Sequence, residues 1–430
     1  MTPLDPGAKR AILNAVAALE GAAVDRLAAL VRCDSTLGKE AGALDLMAAN
    51  YESLGLVPRR IPTVPEALKD HPGFSPPLIS YEGRDNVAAI HTPREVKGRS
   101  LALQGHVDVV PEGAADLWIT PPYEPSVRNG RLYGRGAGDM KAGIVSYLTA
   151  FEALKLAGLQ PAAPVQMQAV IEEECSGNGA LATMLAMPRT DAVVIPEPGP
   201  SMAAMYSAEV GVVWAWVTVT GRPTHVRDMH AGINAIEAAM HIARRFKDYE
   251  NERNRAENIH AAFRGVNHPV NVNLGTVEGG EWNSSVPTRA RIGLRVGVML
   301  GYSAARTRAD IERIVAEAAG DAALRGTQVK LEFKGFMADP CAFDMESEIC
   351  RLARRSYAEV SGSELREYPA TGLTDGRFFT LYQDTPVACF GPDAQEIHGI
   401  DESVSLASMH DITRSIALLM AEWCGVEKVA

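Results

Sequence analysis

Apolar positions recur at helical spacing over residues 11–31 and 41–54, and Gly55, just past "NYESL", supplies a stop signal for the second helix. Short, continuous apolar runs follow. "SLALQG", "PVQMQAVI", "DAVVIP" and "PVACFG" predict buried strands, with "GIVSYLTAFEALKLAG" as a helix between the first two. Runs without polar alternation belong to a sheet covered on both sides, so the pattern predicts an α/β domain with a mostly parallel sheet and helices on both faces. The proline-rich "PTVPEALKDHPGFSPP" reads as a surface loop.

From about Tyr206 the pattern changes to strand ("VGVVWAWVTVTG"), helix ("GINAIEAAMHIARRFKDYE"), two strands ("VNVNLGTVEGG", "RARIGLRVGVML"), helix ("SAARTRADIERIVAEAAG") and strand ("TQVKLEFKG"). That order is the split βαβ plan of a ferredoxin-like α+β sandwich. It predicts an inserted domain at 208–336 inside a first domain made of 1–207 and 337–430, which resumes at the helix around "FDMESEICRLARRSY". A length of 430 residues exceeds what one core usually organises, which agrees with two domains. No internal repeat or low-complexity tract is evident.

Composition narrows the partners. Lys and Arg total 42 against 53 Asp and Glu, and the net charge of −11 repels a phosphate backbone, so nucleic-acid binding is excluded as the main role. Cys33, Cys175, Cys341, Cys350, Cys389 and Cys424 form no CxxC pair, which fits a reducing compartment. The first twenty residues lack the apolar core of a signal peptide. The most apolar stretch, "VGVVWAWVTVT", has about half the ~20 residues a membrane span needs. A cytoplasmic protein without membrane contact is expected.

Residues able to bind metal share one location. His106 follows "LALQG", Glu173 and Glu174 follow "VQMQAVI", Glu197 follows "DAVVI", and His398 lies in the loop after "VACFG". Asp139 sits in the glycine-rich turn "GRGAGDMKAG" ahead of a helix on the same edge. Ligands of open α/β sheets collect at the carboxyl ends of strands, so these distant residues can meet. Two imidazoles and three carboxylates suit zinc or another divalent first-row ion, and an aspartate can bridge two ions. Asp108, two residues past His106, can accept the other ring N–H of that imidazole and fix its tautomer. Alone, "EEE" at 172–174 reads as a solvated charge run, but directly after a buried strand three carboxylates are costly unless cations neutralise them. The G-x-G-x-G spacing in "GRGAGD" departs from a dinucleotide loop. Carboxylates beside Cys175 oppose thiolate formation.

Taken in order, "GHVDVVPEG", "GRGAGDMKAG", "EEECSGNGA", "PEPG", "GRPTH", "GINAIEAA", "NSSVP", "TGLTDGRFF" and "FGPDAQEIHGIDESV" resemble the family of acetylornithine deacetylase, succinyl-diaminopimelate desuccinylase, aminoacylase and carboxypeptidase G. The resemblance runs nearly the whole length. It implies that His106 and Glu197 hold one divalent ion, Glu174 and His398 a second, and Asp139 both. Zinc is the first expectation, manganese or cobalt the alternatives, and the second position can be partly filled. Glu173 is implied as general base and then acid, and the Asp139–Met140 bond as cis. The inserted domain becomes a lid and dimerisation domain, whose His225 reaches into the partner subunit's site to stabilise the oxyanion, with Asn283 touching substrate. Arg377 stands where the family places a cation for the substrate's carboxylate. The implied partners are a small carboxylate-bearing substrate and a second copy of the chain, and the implied reaction is hydrolysis of the amide of an N-acyl amino acid or related N-acyl amine.

Ser176, Leu373 and Thr224 depart from the family pattern, the first two at positions usually held by glycine. They leave the ligands intact and put pocket shape in question. The rivals are displacement of an amine from an activated aromatic ring, dipeptidase or carboxypeptidase action, a metal-binding interaction protein without catalysis, and a nicotinamide oxidoreductase. Glu173 beside a full ligand set speaks against the non-catalytic reading, because binding alone does not need that carboxylate.

Overall fold

The computed structural model describes residues 4–429. Its main sheet runs in the order Arg59–Pro62, Asp85–His91, Val165–Val170, Leu101–His106, Ala192–Ile195, Val387–Gly391, Ala204–Glu209 and Cys341–Ala342, with Arg366–Ala370 also paired to Ala204–Glu209. The four apolar runs read as strands form its parallel centre. Both flanks add antiparallel neighbours to this parallel centre. Asp85–His91 reaches Leu101–His106 without a crossover helix, and a strand connected that way enters a sheet antiparallel.

Alternate side chains of the central strands bury into two different cores, which is the period of a strand covered on both sides. Leu101, Leu103, Val165, Met167, Ala192, Val194, Ala388 and Phe390 pack with the helices Pro6–Val31, Ala142–Leu156 and Leu406–Cys424. Ala102, Val170, Val193, Ile195, Val387 and Cys389 pack with Asn178–Ala186 and Gly376–Tyr382. Asp5 caps the first helix by accepting from the Gly7 and Ala8 N–H groups, with Pro6 in the first turn where its missing donor costs nothing. The second helix, Ala41–Ser53, ends against Gly55 at φ +76°.

The segment 62–77 is more than a surface loop. Leu68, in a helical turn at Pro65–Leu68, is buried in the second core, and Ser75 exchanges two hydrogen bonds with Asn178. Proline there fixes the path of a strap that is tied down at both ends.

The inserted region forms a separate antiparallel sheet in the order Val272–Gly279, Arg289–Val298, Gly211–Thr220, Gln328–Glu332, the order of a ferredoxin-like fold. Val213, Ala215, Val217 and Val219 pack against the helices Ala235–Arg253 and Ala304–Ala319. Alternation puts Val212, Trp214, Trp216, Thr218 and Thr220 on the face without helices. The chain leaves the main sheet between Glu209 and Gly211 and returns between Ala338 and Cys341.

Candidate metal centre

His106 closes the strand Leu101–His106, and Glu173, Glu174 and Glu197 lie within a few residues of the next two strand ends. His398 hangs in the loop after Val387–Gly391, and Asp139 lies in the turn before Ala142–Leu156. The sheet thus delivers all of them to one edge. His106, Asp139 and Glu197 form one cluster able to hold an ion, and Asp139, Glu174 and His398 a second that shares the aspartate. His106 Nε2 lies 3.2 Å from Asp139 Oδ1 and 3.6 Å from Glu197 Oε1. His398 Nε2 lies 3.3 Å from Asp139 Oδ2 and 3.0 Å from Glu174 Oε2. Glu173 Oε2 is 4.0 Å from His106 Nε2, and His106, Glu173 and Glu174 form a third group close enough to hold an ion. The Asp139–Met140 bond is cis.

Two buried networks hold this edge in shape. Glu402 accepts the Gly136, Gly138 and Asp139 N–H groups at 2.9–3.0 Å and pairs with buried Arg135 at 2.6 Å, so one carboxylate fixes the Asp139 turn. The second is centred on Glu172, which holds φ +65° ahead of Glu173, a left-handed conformation that costs a non-glycine residue about 1 kcal/mol or more. Its carboxylate accepts from Arg84 Nη1 at 2.5 Å, from Ser176 Oγ at 2.5 Å and from the Tyr81 hydroxyl, while Arg84 also pairs with Glu40. Ser176 therefore works where a glycine could not, by donating to the carboxylate that anchors the Glu173–Glu174 turn. Glu402→Ala, which strands Arg135 without an anion, is expected to lower unfolding free energy by about 3–5 kcal/mol in urea titrations. A loss below about 1 kcal/mol would show that this pair is not the brace.

The electrostatics demand cations. Burial pushes the carboxyl of Glu197 well above its usual range against the pull of His106, with Asp139 and Asp375 adding to the rise. Burial does the same to Glu173, again opposed by His106 and reinforced by Asp375 and Glu197. Asp108 is pushed by burial up to about 8 and Asp375 up to about 6. Glu174 drives the imidazole of His398 up to about 11. Glu197 Oε1 is buried without a hydrogen-bond partner. Crowded carboxylates, two imidazoles and an orphaned oxygen are what a pair of divalent ions would satisfy, so the residues present fit the implied metals.

The remaining candidates fall in different places. Asp108 meets His106 through its backbone: the carbonyl accepts from Nδ1 at 2.9 Å while the carboxylate stands 3.6 Å off. That carboxylate accepts instead from the Glu173 and Glu174 N–H groups, because the chain turns past the strand end and carries the side chain toward the neighbouring turn. His225 and Asn283 are exposed at the tip of the inserted region, where His225 bridges to Ser285 and its Nδ1 accepts from the Arg227 N–H at 3.0 Å. Neither lines the cavity of about 350 Å³ that contains Glu173, Glu174 and His398. Arg377 is buried, with donors spent on the carbonyls of Thr374 (2.9 Å) and Ser176 (3.2 Å) and its guanidinium over Phe378. It lies in the first turn of the helix Gly376–Tyr382, with Nη1 3.8 Å from Asp375 Oδ1 and the guanidinium 5.6 Å from the ring of Phe336, and is not among the residues lining the cavity.

The cation that lines the cavity is Arg295, on the helix-free face of the inserted sheet. Burial pulls its pKa down to about 10, and its one bond is to the Thr371 carbonyl at 2.9 Å, with no carboxylate pairing among the described residues. Sequence reading missed it, and the only signal was an arginine alternating with apolar residues in "RARIGLRVGVML".

A sequence model of Peptidase family M20/M25/M40 matches residues 102–422. The chain is 26% identical over 397 residues to a succinyl-diaminopimelate desuccinylase of Parvibaculum lavamentivorans, covering 89% of this chain and 91% of that protein. Its fold is similar to that of the di-peptidase Dug1p from Saccharomyces cerevisiae, with a TM-score of 0.79 at 12% identity over 98% and 99% of the two chains. Human carnosine dipeptidase 1 is similar as well, with a TM-score of 0.77 at 15% identity over 97% and 98%.

Proposed function

Because the chain belongs to Peptidase family M20/M25/M40, a metallohydrolase of C–N bonds, we propose that its substrate is a small N-acyl amino acid whose amide it hydrolyses. The observation that carries this reading is one cavity that presents Glu173, Glu174 and His398 together with an unpaired cation, Arg295. His106, Asp139 and Glu197 would hold one ion and Asp139, Glu174 and His398 the other, with zinc preferred and manganese or cobalt as alternatives. Bound there, divalent ions supply Lewis-acid polarisation of the carbonyl and make water acidic near neutral pH. Glu173 takes the proton of the attacking water and hands it to the departing amine, a role suited to a buried carboxyl whose proton affinity is raised. Asp108 positions the Glu173–Glu174 turn through its two N–H groups, and Arg295 takes the substrate carboxylate in place of Arg377.

The same reading makes the protein a homodimer through the inserted region, taken as 208–336. Support comes from the edge strand Val272–Gly279, exposed at every residue but the first, and from Val277 and Trp282, 58% and 73% exposed. An open edge of this kind is a template for a second strand. It would carry His225 and Asn283 to a partner's cavity, where His225 donates to the oxyanion. Free cysteines support a reducing, cytoplasmic setting.

Protein loaded with zinc, manganese or cobalt is expected to release amine from N-acetyl amino acids, to lose that activity on chelation and to regain it when metal is restored. Converting the substrate's carboxylate to a primary amide should raise KM about 10-fold or more, the worth of one charge-assisted contact. Absence of metal-dependent amine release from N-acyl amino acids, dipeptides and aryl amines alike overturns the reading, and release from dipeptides alone moves it to peptidase action.

A further inference from the structure

The hydrolase reading leaves open which amino acid departs, and the inserted sheet bears on it. Trp214 lies directly opposite Arg295 in the strand register, and Trp216 opposite Gly293. Directly opposed residues on one sheet face have Cβ atoms about 4.5–5.5 Å apart, so the indole of Trp214 and the guanidinium of Arg295 rise side by side over the cavity. Both tryptophans are held by packing. Trp214 stands edge-on to Phe336, ring centroids 5.4 Å apart, and close against Gly335, where an added Cβ would come within 2.5 Å of Cε3. Trp216 lies over Gly293, where a Cβ would come within 2.7 Å of its ring, and the Arg291 guanidinium covers it at 4.3 Å. Val212 and Leu373 line the same cavity as Glu173, Glu174 and His398 and extend the apolar surface beside the two indoles and Phe336.

We infer that the amine half of the substrate is an α-amino acid with a large apolar side chain, aromatic before aliphatic, its carboxylate on Arg295 and its side chain on the wall of Trp214, Trp216 and Phe336. An α-amino acid bears its carboxylate and side chain on the same carbon, one bond from the nitrogen that is released. One cation flanked by rings matches that layout. A second charge in the side chain would lose its hydration beside the rings, with only the neutral side chains of Asn273 and Thr276 and the indole N–H groups near it and no counter-ion on that wall. A glycine would leave the rings uncovered, and apolar pockets separate ligands by about 10-fold or more per group of that size.

The test uses metal-loaded full-length protein with N-acetyl derivatives of glycine, alanine, leucine, phenylalanine, glutamate and lysine, read both as kcat/KM and as equilibrium binding by tryptophan fluorescence. Phenylalanine and leucine derivatives are expected to exceed glycine by about 10- to 100-fold in both readouts, and Trp214→Ala to compress the phenylalanine-to-glycine ratio to about threefold or less. Trp214→Phe, which keeps a ring, should retain most of the ratio and guards against a folding defect in the alanine variant. Turnover without this preference, or a preference for glutamate or lysine, overturns the inference and leaves the hydrolase reading standing. Preferential binding without turnover supports the inference and removes the hydrolase reading.

Discussion

Glu173→Gln is expected to cut turnover by about 100- to 10,000-fold, the range general acid–base groups contribute, while the protein still folds and loads metal. Glutamine fills the same space but cannot accept a proton from water or return one to an amine. The carboxyl is buried next to His106, and burial already disfavours its charged form, so loss of the charge should leave the thermal midpoint unchanged or raised. Steady-state kinetics on protein of measured metal content decides the matter. Retention of more than about a tenth of wild-type kcat with full metal would remove Glu173 from the reaction, and loss of metal would make it a ligand instead.

Asp139→Ala is the second large effect. Asp139 is the residue shared by the two clusters, with Oδ1 toward His106 and Oδ2 toward His398. Its removal is expected to weaken metal binding by at least about 100-fold at both positions, since even supporting residues of metal sites are worth 10- to 100-fold. Titration calorimetry should show two binding events in the wild type, as proposed, and one or none in the variant, with activity falling in step. Metal at 100 times its Kd stabilises a folded protein by about 2.7 kcal/mol per site, so the rise in melting temperature on adding metal should shrink in the variant. Two intact binding events in Asp139→Ala would dissolve the shared centre.

The parts of this picture legible in the sequence are those that follow from local pattern. The four central strands announce themselves as apolar runs, and His106, Glu173, Glu174 and Glu197 stand just past their ends, so topology alone gathers them. The six-element order of the inserted region fixes its sheet. What could not be read depends on which face meets what. "DNVAAIH" gives no alternation to distinguish a strand from a loop, so Asp85–His91 and its antiparallel pairing went unseen. Arg295 sits in a strand with ordinary polar alternation, and only the packing of one unit on the other shows that its open face overlooks the ligand cluster. Arg377 shows the converse, since the resemblance implies a cation for the substrate's carboxylate there, while local spacing gives no hint that its guanidinium lies over Phe378 and donates to two carbonyls. Asp108 shows a finer limit, because spacing cannot distinguish a carbonyl from a carboxylate as the partner of an imidazole.

Only two stretches of backbone, at Glu209–Gly211 and Ala338–Cys341, join the inserted unit to the rest of the chain. Across that seam run the bonds from Arg295 to the Thr371 carbonyl and from the Gly335 N–H to the Pro76 carbonyl. The floor of the cavity belongs to one body and its ceiling to the other, so a rotation about this paired hinge changes the gap between indole and carboxylate and leaves either body's interior alone. Under the proposed function, selectivity for size and access to the metal positions would both depend on that one angle, so a substitution at the seam is expected to alter both together even though it touches neither the metal cluster nor a ring.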